Sequence, residues 1–314
     1  MIRRARVRAL AKINLDLRVL HRRPDGYHEI RTIFQTISLG DALELEVTRA
    51  KRTEVTLVSS VDIPDNLVAR AARLCLEEMK VHAGVRMRLR KSVPMGAGLG
   101  GGSSDAAAVL LTLPALLGKP LSLERRISLG RTLGSDVPFF LLGGTAVGLG
   151  RGTEVYPLPD FGKRAAVIVA PGIHVSTPAA YRALGRPGAD DELTTIGAQN
   201  TIEEFQSLTW SPGFPHGQND FEEPVFAEHA SLRAWKRRLL KSGAEFAMLS
   251  GSGSSLFGIF GTNAQAHSAA RSLRGADVFS VSLVTRRRYQ SSWRKWLGDV
   301  ATETLWPPQG RLGQ

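Results

Sequence analysis

The stretch Pro94-Met-Gly-Ala-Gly-Leu-Gly-Gly-Gly-Ser-Ser104 joins two segments of opposite character. Ahead of it, residues 85–89 alternate apolar and polar side chains, the period-two pattern of a strand buried on one face. Behind it, residues 105–113 are apolar around every side of a helix, which marks that helix as buried. Glycines at such a junction let a ligand reach the backbone, and a helix start offers free N–H groups and the positive end of the helix dipole to a phosphate. A flexible linker would seldom lead straight into a buried helix, so a phosphate cradle is the stronger reading. No lysine follows the glycines as the Walker pattern requires.

Outward from this junction, residues 5–10, 13–19 and 43–48 alternate like strands. Residues 66–79 place Leu67, Ala71, Leu74, Cys75 and Met79 on one helical stripe, and Pro114 is expected to kink or end the buried helix. The pattern changes after Pro157 and Pro159. There follow an apolar strand at 165–170, a helix N-cap at Thr177 with Pro178 in the first turn, a polar excursion over 190–219 and a helix over 224–241. Strands at 246–249 and 255–260, a helix capped by Thr262 and a strand at 278–284 complete the second half. This order predicts a ferredoxin-like α+β sandwich. Three regions result: 1–160 with the glycine loop, 161–289, and a basic tail over 290–314 that reads as a loose appendage with Pro307, Pro308 and Gly310.

At 314 residues, 43% hydrophobic and 22% charged, the chain has the composition of a folded protein of one large or two ordinary domains. Its net charge of +12 raises nucleic acid as a partner. The excess is concentrated at the ends, however. Residues 1–31 carry nine Lys/Arg against three Asp/Glu and residues 286–314 carry six against two, leaving the body nearly neutral. A small anionic ligand fits that distribution better than a polyanion; no nucleic-acid or membrane partner is expected. Cys75 stands alone, so no internal disulfide or multi-cysteine metal site can form, and a reducing cytoplasmic setting is expected.

Two further clusters carry chemistry. Lys12 and Asn14 fall on one face of an alternating segment, and Pro24-Asp25-Gly26 is a turn that presents Tyr27 and His28 at its exit. In Gly134-Ser135-Asp136-Val137-Pro138 one acid sits among apolar residues, where it caps a helix or pairs with a cation, most simply a lysine.

Taken in order, these segments and the Ser250-Gly251-Ser252-Gly253 turn resemble the three ordered motifs of the GHMP small-molecule kinases, over residues from about 10 to about 284. The resemblance implies a two-domain α+β fold with the active site in the cleft and the ATP loop in the N-terminal domain. It implies ATP as phosphoryl donor, with Mg2+, and a cradle of Pro94, Gly96, Gly98, Gly100, Gly101, Gly102, Ser103 and Ser104, the last also matching a metal contact. Asp136 matches the family's catalytic aspartate and Lys12 its active-site lysine. Tyr27-His28 beside Lys12 and Asn14 resembles the branch acting on a cytidine diphosphate-linked methylerythritol in non-mevalonate isoprenoid synthesis, where it would be phosphorylated on its 2-hydroxyl. In that branch Tyr27 and Tyr181 match the aromatics stacking on cytosine, His28 its hydrogen-bonding partner, and Asn14 and Thr177 contacts to the diphosphate-linked sugar; Gly251, Ser252 and Gly253 match the third motif. A mevalonate, homoserine or sugar kinase is the nearest alternative, and a basic nucleic-acid-binding protein a more distant one.

Overall fold

The structure, a computed structural model, describes residues 2–188, 217–300 and 306. The expected excursion over 190–219 lies almost wholly outside the described residues, as do Pro307, Pro308 and Gly310.

Two long antiparallel strands, β1 (Arg3–Arg22) and β2 (His28–Arg49), meet at the Pro24-Asp25-Gly26 turn. Their alternating apolar residues face a core, and register shifts at Leu10/Lys12 and Asn14/Asp16 bend β1 where Lys12 and Asn14 sit. With β3 (Glu54–Ser59), β4 (Ala83–Arg90), β5 (Thr145–Leu149) and β6 (Glu154–Pro157) they form a six-stranded sheet in the order β3-β4-β2-β5-β6, with β1 on β2.

Four helices accompany this sheet: α1 (Leu67–Met79), α2 (Gly101–Leu117), α3 (Leu123–Leu133) and α4 (Val137–Leu142). Asn66 caps α1, accepting from the Val68 N–H, and Cys75 lies in its buried stripe as expected. Burial pushes the Cys75 thiol up to about 12, so it is inert packing. Helix α2 is buried on all sides, and it runs through Pro114 to Leu117 rather than breaking. Pro114 stands in the last turn, where its missing N–H costs one bond, and Gly118 closes the end in a left-handed conformation.

In the second unit, β7 (Ala165–Ala170), β8 (Phe246–Leu249), β9 (Leu256–Phe260) and β10 (Asp277–Ser282) form an antiparallel sheet in the order β10-β7-β9-β8, the ferredoxin-like arrangement. Its helices are α5 (Thr177–Ala183), α6 (Glu222–Glu228), α7 (Ala230–Lys241) and α8 (Asn263–Ser272). Thr262 forms a full capping box with Gln265. The single helix expected over 224–241 is two, divided at His229, whose backbone leaves the helical region. The α5 cap is Ser176 rather than Thr177, one residue earlier than expected, which leaves the Thr177 hydroxyl for other partners.

The two sheets share an apolar seam. Ile13, Leu15, Ile33 and Ile37 of the first meet Ile168, Phe257, Ile259 and Val281 of the second, all buried. This seam fixes the cleft above it.

After β10 the chain returns to the first unit as α9 (Arg286–Leu297). Tyr289, Trp293 and Leu297, four apart on one face, enter the core of the first unit together with Trp306. Among the described residues, 290–300 and 306 are therefore packed and not a loose appendage: a single buried stripe outweighs the surrounding basic residues. Among the described residues, no helix is long and apolar enough to cross a membrane.

Candidate active site

Strand β1 carries Lys12 into the cleft, its own N–H donating to Leu99 O at 3.0 Å. The ammonium is 4% exposed, donates to Asn14 Oδ1 at 2.6 Å and lies 3.6 Å from Asp136 Oδ2. Asn14 is oriented in turn by its Nδ2, which donates to Thr32 Oγ1 at 2.7 Å. Burial holds the Lys12 pKa below its ordinary value, and the Asp136 carboxylate restores part of the loss. Asp136 precedes α4 in the capping position but makes no capping hydrogen bond, so its carboxylate is free to face the lysine.

The glycine loop lies beside this pair. Gly96, Gly98 and Gly100 all have positive φ, and Gly100 caps α2. A Cβ on Gly98 would stand 1.9 Å from Ser250 O, and one on Gly100 would stand 2.8 Å from Phe140 Cζ. The loop is thus seated on the third-motif turn by backbone contact, secured by Ser250 Oγ donating to Gly98 O at 2.9 Å. Ser104 departs from the expected metal or phosphate contact. Its hydroxyl is 2% exposed and donates to Leu10 O at 2.7 Å, away from the cleft.

Beneath the loop, Lys91 Nζ bridges Asp41 at 2.5 Å and Asp105 at 2.7 Å, next to Gly101. Burial, with repulsion from Asp41 opposing the attraction of Lys91, pushes the Asp105 carboxyl up to about 7.

A cavity of about 1000 Å³ unites Lys12, Asn14, Tyr27, His28, Gly98, Gly100, Asp136, Thr177, Tyr181, Gly251 and Ser252. Pro94, Gly96, Gly101, Gly102, Ser103, Ser104 and Gly253 are not among its lining residues. At the far end the His28 ring stacks on Tyr181 with centroids 4.7 Å apart, and Tyr181 meets Phe221 edge-on. Tyr27 is half exposed, with the Arg151 guanidinium 3.4 Å above its ring. Thr177 Oγ1 lies 2.8 Å from Ser252 Oγ, tying α5 to the third motif.

The GHMP kinases N terminal domain matches residues 66–144 and the GHMP kinases C terminal domain matches residues 202–277. The 4-diphosphocytidyl-2-C-methyl-D-erythritol kinase of Solibacter usitatus is 53% identical over 310 residues, covering 98% of both chains. The chain belongs to this family of GHMP kinases. The enzyme of the same name from Geobacter metallireducens is 36% identical, covering 88% of this chain and 97% of its own. A crystal structure of 4-(cytidine 5'-diphospho)-2C-methyl-D-erythritol kinase superposes with a TM-score of 0.72 at 38% identity, covering 90% of this chain and 99% of that one. Homoserine kinase from Cytophaga hutchinsonii, at 19% identity and a TM-score of 0.67 over 89% and 95% of the two chains, shares the fold. This GHMP kinase is therefore an ATP-dependent phosphotransferase with an alcohol acceptor.

Several residues of the kinase's cleft escaped the motif reading. Arg151 lies between Gly150 and Gly152, both with positive φ, in a turn held to the Tyr27 segment by Ile30 N–H donating to Gly150 O at 2.7 Å. That glycine-bracketed arginine was the available signal. Arg186 also lines the cavity, joining Arg22 of the basic stretch that leads into the Pro24-Asp25-Gly26 turn; burial first, and then these two charges, hold the His28 pKa below its ordinary value. Much of the N-terminal charge lies elsewhere: Arg4 pairs with Glu46 and Arg6 with Glu44 across the strands.

Proposed function

We propose that the chain transfers the γ-phosphoryl group of ATP to the 2-hydroxyl of 4-diphosphocytidyl-2-C-methyl-D-erythritol, giving its 2-phosphate and ADP in the non-mevalonate route of isoprenoid synthesis. The observation that carries this reading is the single cavity. It joins the Lys12–Asp136 pair to the glycine loop on one side and to Tyr27, His28 and Tyr181 on the other. A mevalonate or homoserine kinase would have no use for that aromatic end.

In this reading the substrate hydroxyl lies against Asp136, which accepts its proton as the oxygen attacks phosphorus. Lys12 orients that carboxylate and offsets negative charge gathering on the transferring group. Asn14, fixed by Thr32 and Lys12, and Thr177, fixed by Ser252, are placed to hold the substrate's diphosphate-linked sugar. Phosphoryl transfer depends mainly on positioning and charge neutralisation. The loop contributes through the backbone of Gly98 and Gly100, with Gly96, Gly101, Gly102 and Ser103 completing the turn into α2.

At the other end the cytosine takes the space above Tyr181, His28 supplies a hydrogen bond from its ring, and Tyr27 exchanges Arg151 for the base. A neutral imidazole can do this at neutral pH, in keeping with the depressed His28 pKa.

Among the described residues no cluster of three His, Cys, Asp or Glu stands ready to hold a metal, and Asp136 is the one carboxylate lining the cavity. That carboxylate is engaged by Lys12 and by the substrate hydroxyl, so Mg2+ would be held chiefly by the nucleotide phosphates and would supply neutralisation of their charge. We also place the enzyme in the cytoplasm, acting on small molecules and not on nucleic acid. Cross-strand ion pairs such as Arg4–Glu46 support this by spending basic charge locally.

The test is 31P NMR of the product formed from ATP and the cytidylylated methylerythritol. A new phosphomonoester beside an intact diphosphate is expected; cleavage of the diphosphate, or no new resonance, would contradict the proposal.

A further inference from the structure

Helix α4 has six residues and starts directly after Asp136. So short a helix leaves most of its carbonyls without intrahelical partners. Phe139 O accepts from the Gly143 N–H at 2.9 Å. The next two carbonyls are met from the far end of the chain: Tyr289 Oη donates to Phe140 O at 2.5 Å, and Trp306 Nε1 donates to Leu141 O at 2.7 Å. Tyr289 is 1% exposed and Trp306 4%.

The approach is close. A Cβ on Gly143 would stand 2.2 Å from Tyr289 Cδ1, and one on Gly144 would stand 2.6 Å from Arg286 Cβ. Arg286 fastens the start of α9 through its N–H to Asp160 Oδ2 at 2.8 Å and through its guanidinium to Leu158 O and Thr145 O. On its other side α4 meets the catalytic region. The Phe140 ring lies against Gly100 of the glycine loop, and Phe139 lies against Phe34, over whose ring the Lys12 ammonium sits at 5.6 Å.

We propose that Tyr289 and Trp306 are positioning residues for phosphoryl transfer, holding α4 from behind so that Asp136 stays in register with Lys12 and the glycine loop. Packing alone would need an apolar ring; the two polar hydrogens aimed at successive carbonyls of one short helix fix its rotation and height. This inference rests on Asp136 acting as the proton acceptor.

The experiment compares Tyr289→Phe, Trp306→Phe and the double variant with Asp136→Asn, measuring kcat, both KM values, the pH profile of kcat and the melting temperature. Each single change is expected to lower kcat about three- to tenfold at temperatures well below melting, with KM for ATP and the cytidine substrate within about twofold. A second sign separates positioning from stability. As Asp136 drifts from Lys12, the lysine loses the one carboxylate that supports its charge, and the alkaline limb of kcat moves to lower pH. Tyr181 also feels the Asp136 charge, but burial pushes its own pKa up to about 12, outside that limb. A lower melting temperature with unchanged kcat and an unmoved limb in both single variants would overturn the inference, and if Tyr289→Phe fails to fold, Trp306→Phe alone decides. If Asp136→Asn is itself without effect, the underlying functional reading fails instead.

Discussion

Lys12 Nζ lies 3.6 Å from Asp136 Oδ2, joining the first strand of the chain to the start of its fourth helix at the wall of the cavity. Removing the carboxylate while keeping its shape tests the pair. Asp136→Asn is expected to lower kcat by about 10²- to 10⁴-fold with a native circular dichroism spectrum. The pH profile carries a further prediction. A lysine whose pKa is depressed by burial keeps its charge at low pH and loses it on raising pH sooner than an ordinary lysine, so kcat of the parent enzyme should decline below pH 10.5. In Asp136→Asn the residual activity should decline at still lower pH; a profile flat to that value in both proteins would show that the Lys12 charge is not needed.

Tyr27 and His28 are expected to act on substrate binding and not on turnover. Tyr27→Ala should raise KM for the cytidine substrate by about ten- to a hundredfold, the equivalent of one lost base stack, leaving KM for ATP unchanged. Because the His28 pKa lies below 6.5, the same KM should be flat through neutral pH and rise only under more acidic conditions. Isothermal titration across pH checks this, and an equal rise in KM for ATP would point to general damage.

Gly98 and Gly96 both have positive φ, yet their surroundings differ. Gly98→Ala drives a methyl into Ser250 O and should displace the loop from the third-motif turn, raising KM for ATP at least tenfold. Gly96→Ala meets nothing within 4 Å, so only the backbone penalty of about 1–2 kcal/mol applies. Steady-state kinetics and thermal melts of the two variants separate contact from conformation. Equal effects would show that the loop does not rest on the turn.

The Asp41–Lys91–Asp105 group makes an asymmetric prediction. Asp41 also accepts from the N–H groups of Ser92 and Val93, so Asp41→Ala should cost about 3 kcal/mol or more in urea unfolding. Asp105→Asn keeps the Asp41–Lys91 pair and relieves a second buried carboxylate, so it should cost under about 1 kcal/mol at pH 8. The sign with pH follows from the raised Asp105 pKa. Its folded-state proton favours the native protein at low pH and that advantage is lost as pH rises toward about 7. The asparagine variant should therefore gain on the parent between pH 5 and pH 8.

Local chemistry was legible in the sequence where a residue's role depends on its neighbours. The helix start after the glycines, the Pro24-Asp25-Gly26 turn and the Thr262 cap were legible because backbone rules act over a few residues. The alternation around Lys12 and Asn14 gave their shared face, and the acid at 136 set among apolar residues pointed to a helix cap or a cation. What was hidden depends on distant parts. Strand β2 was recognised only over 43–48, since buried polar residues such as Thr32, Gln35 and Thr36 break its alternation, each satisfied by hydrogen bonds the sequence cannot display. Helix α9 was overlooked because arginines and serines surround its stripe of Tyr289, Trp293 and Leu297; their spacing of four was the available signal.

Substrate choice is decided by an ADP-release assay offering the enzyme the cytidylylated methylerythritol, mevalonate, homoserine and galactose at equal concentrations. Release with the cytidylylated substrate is expected at a kcat/KM at least a hundredfold above that for the others. Comparable or faster release with mevalonate, homoserine or galactose would contradict the proposed function.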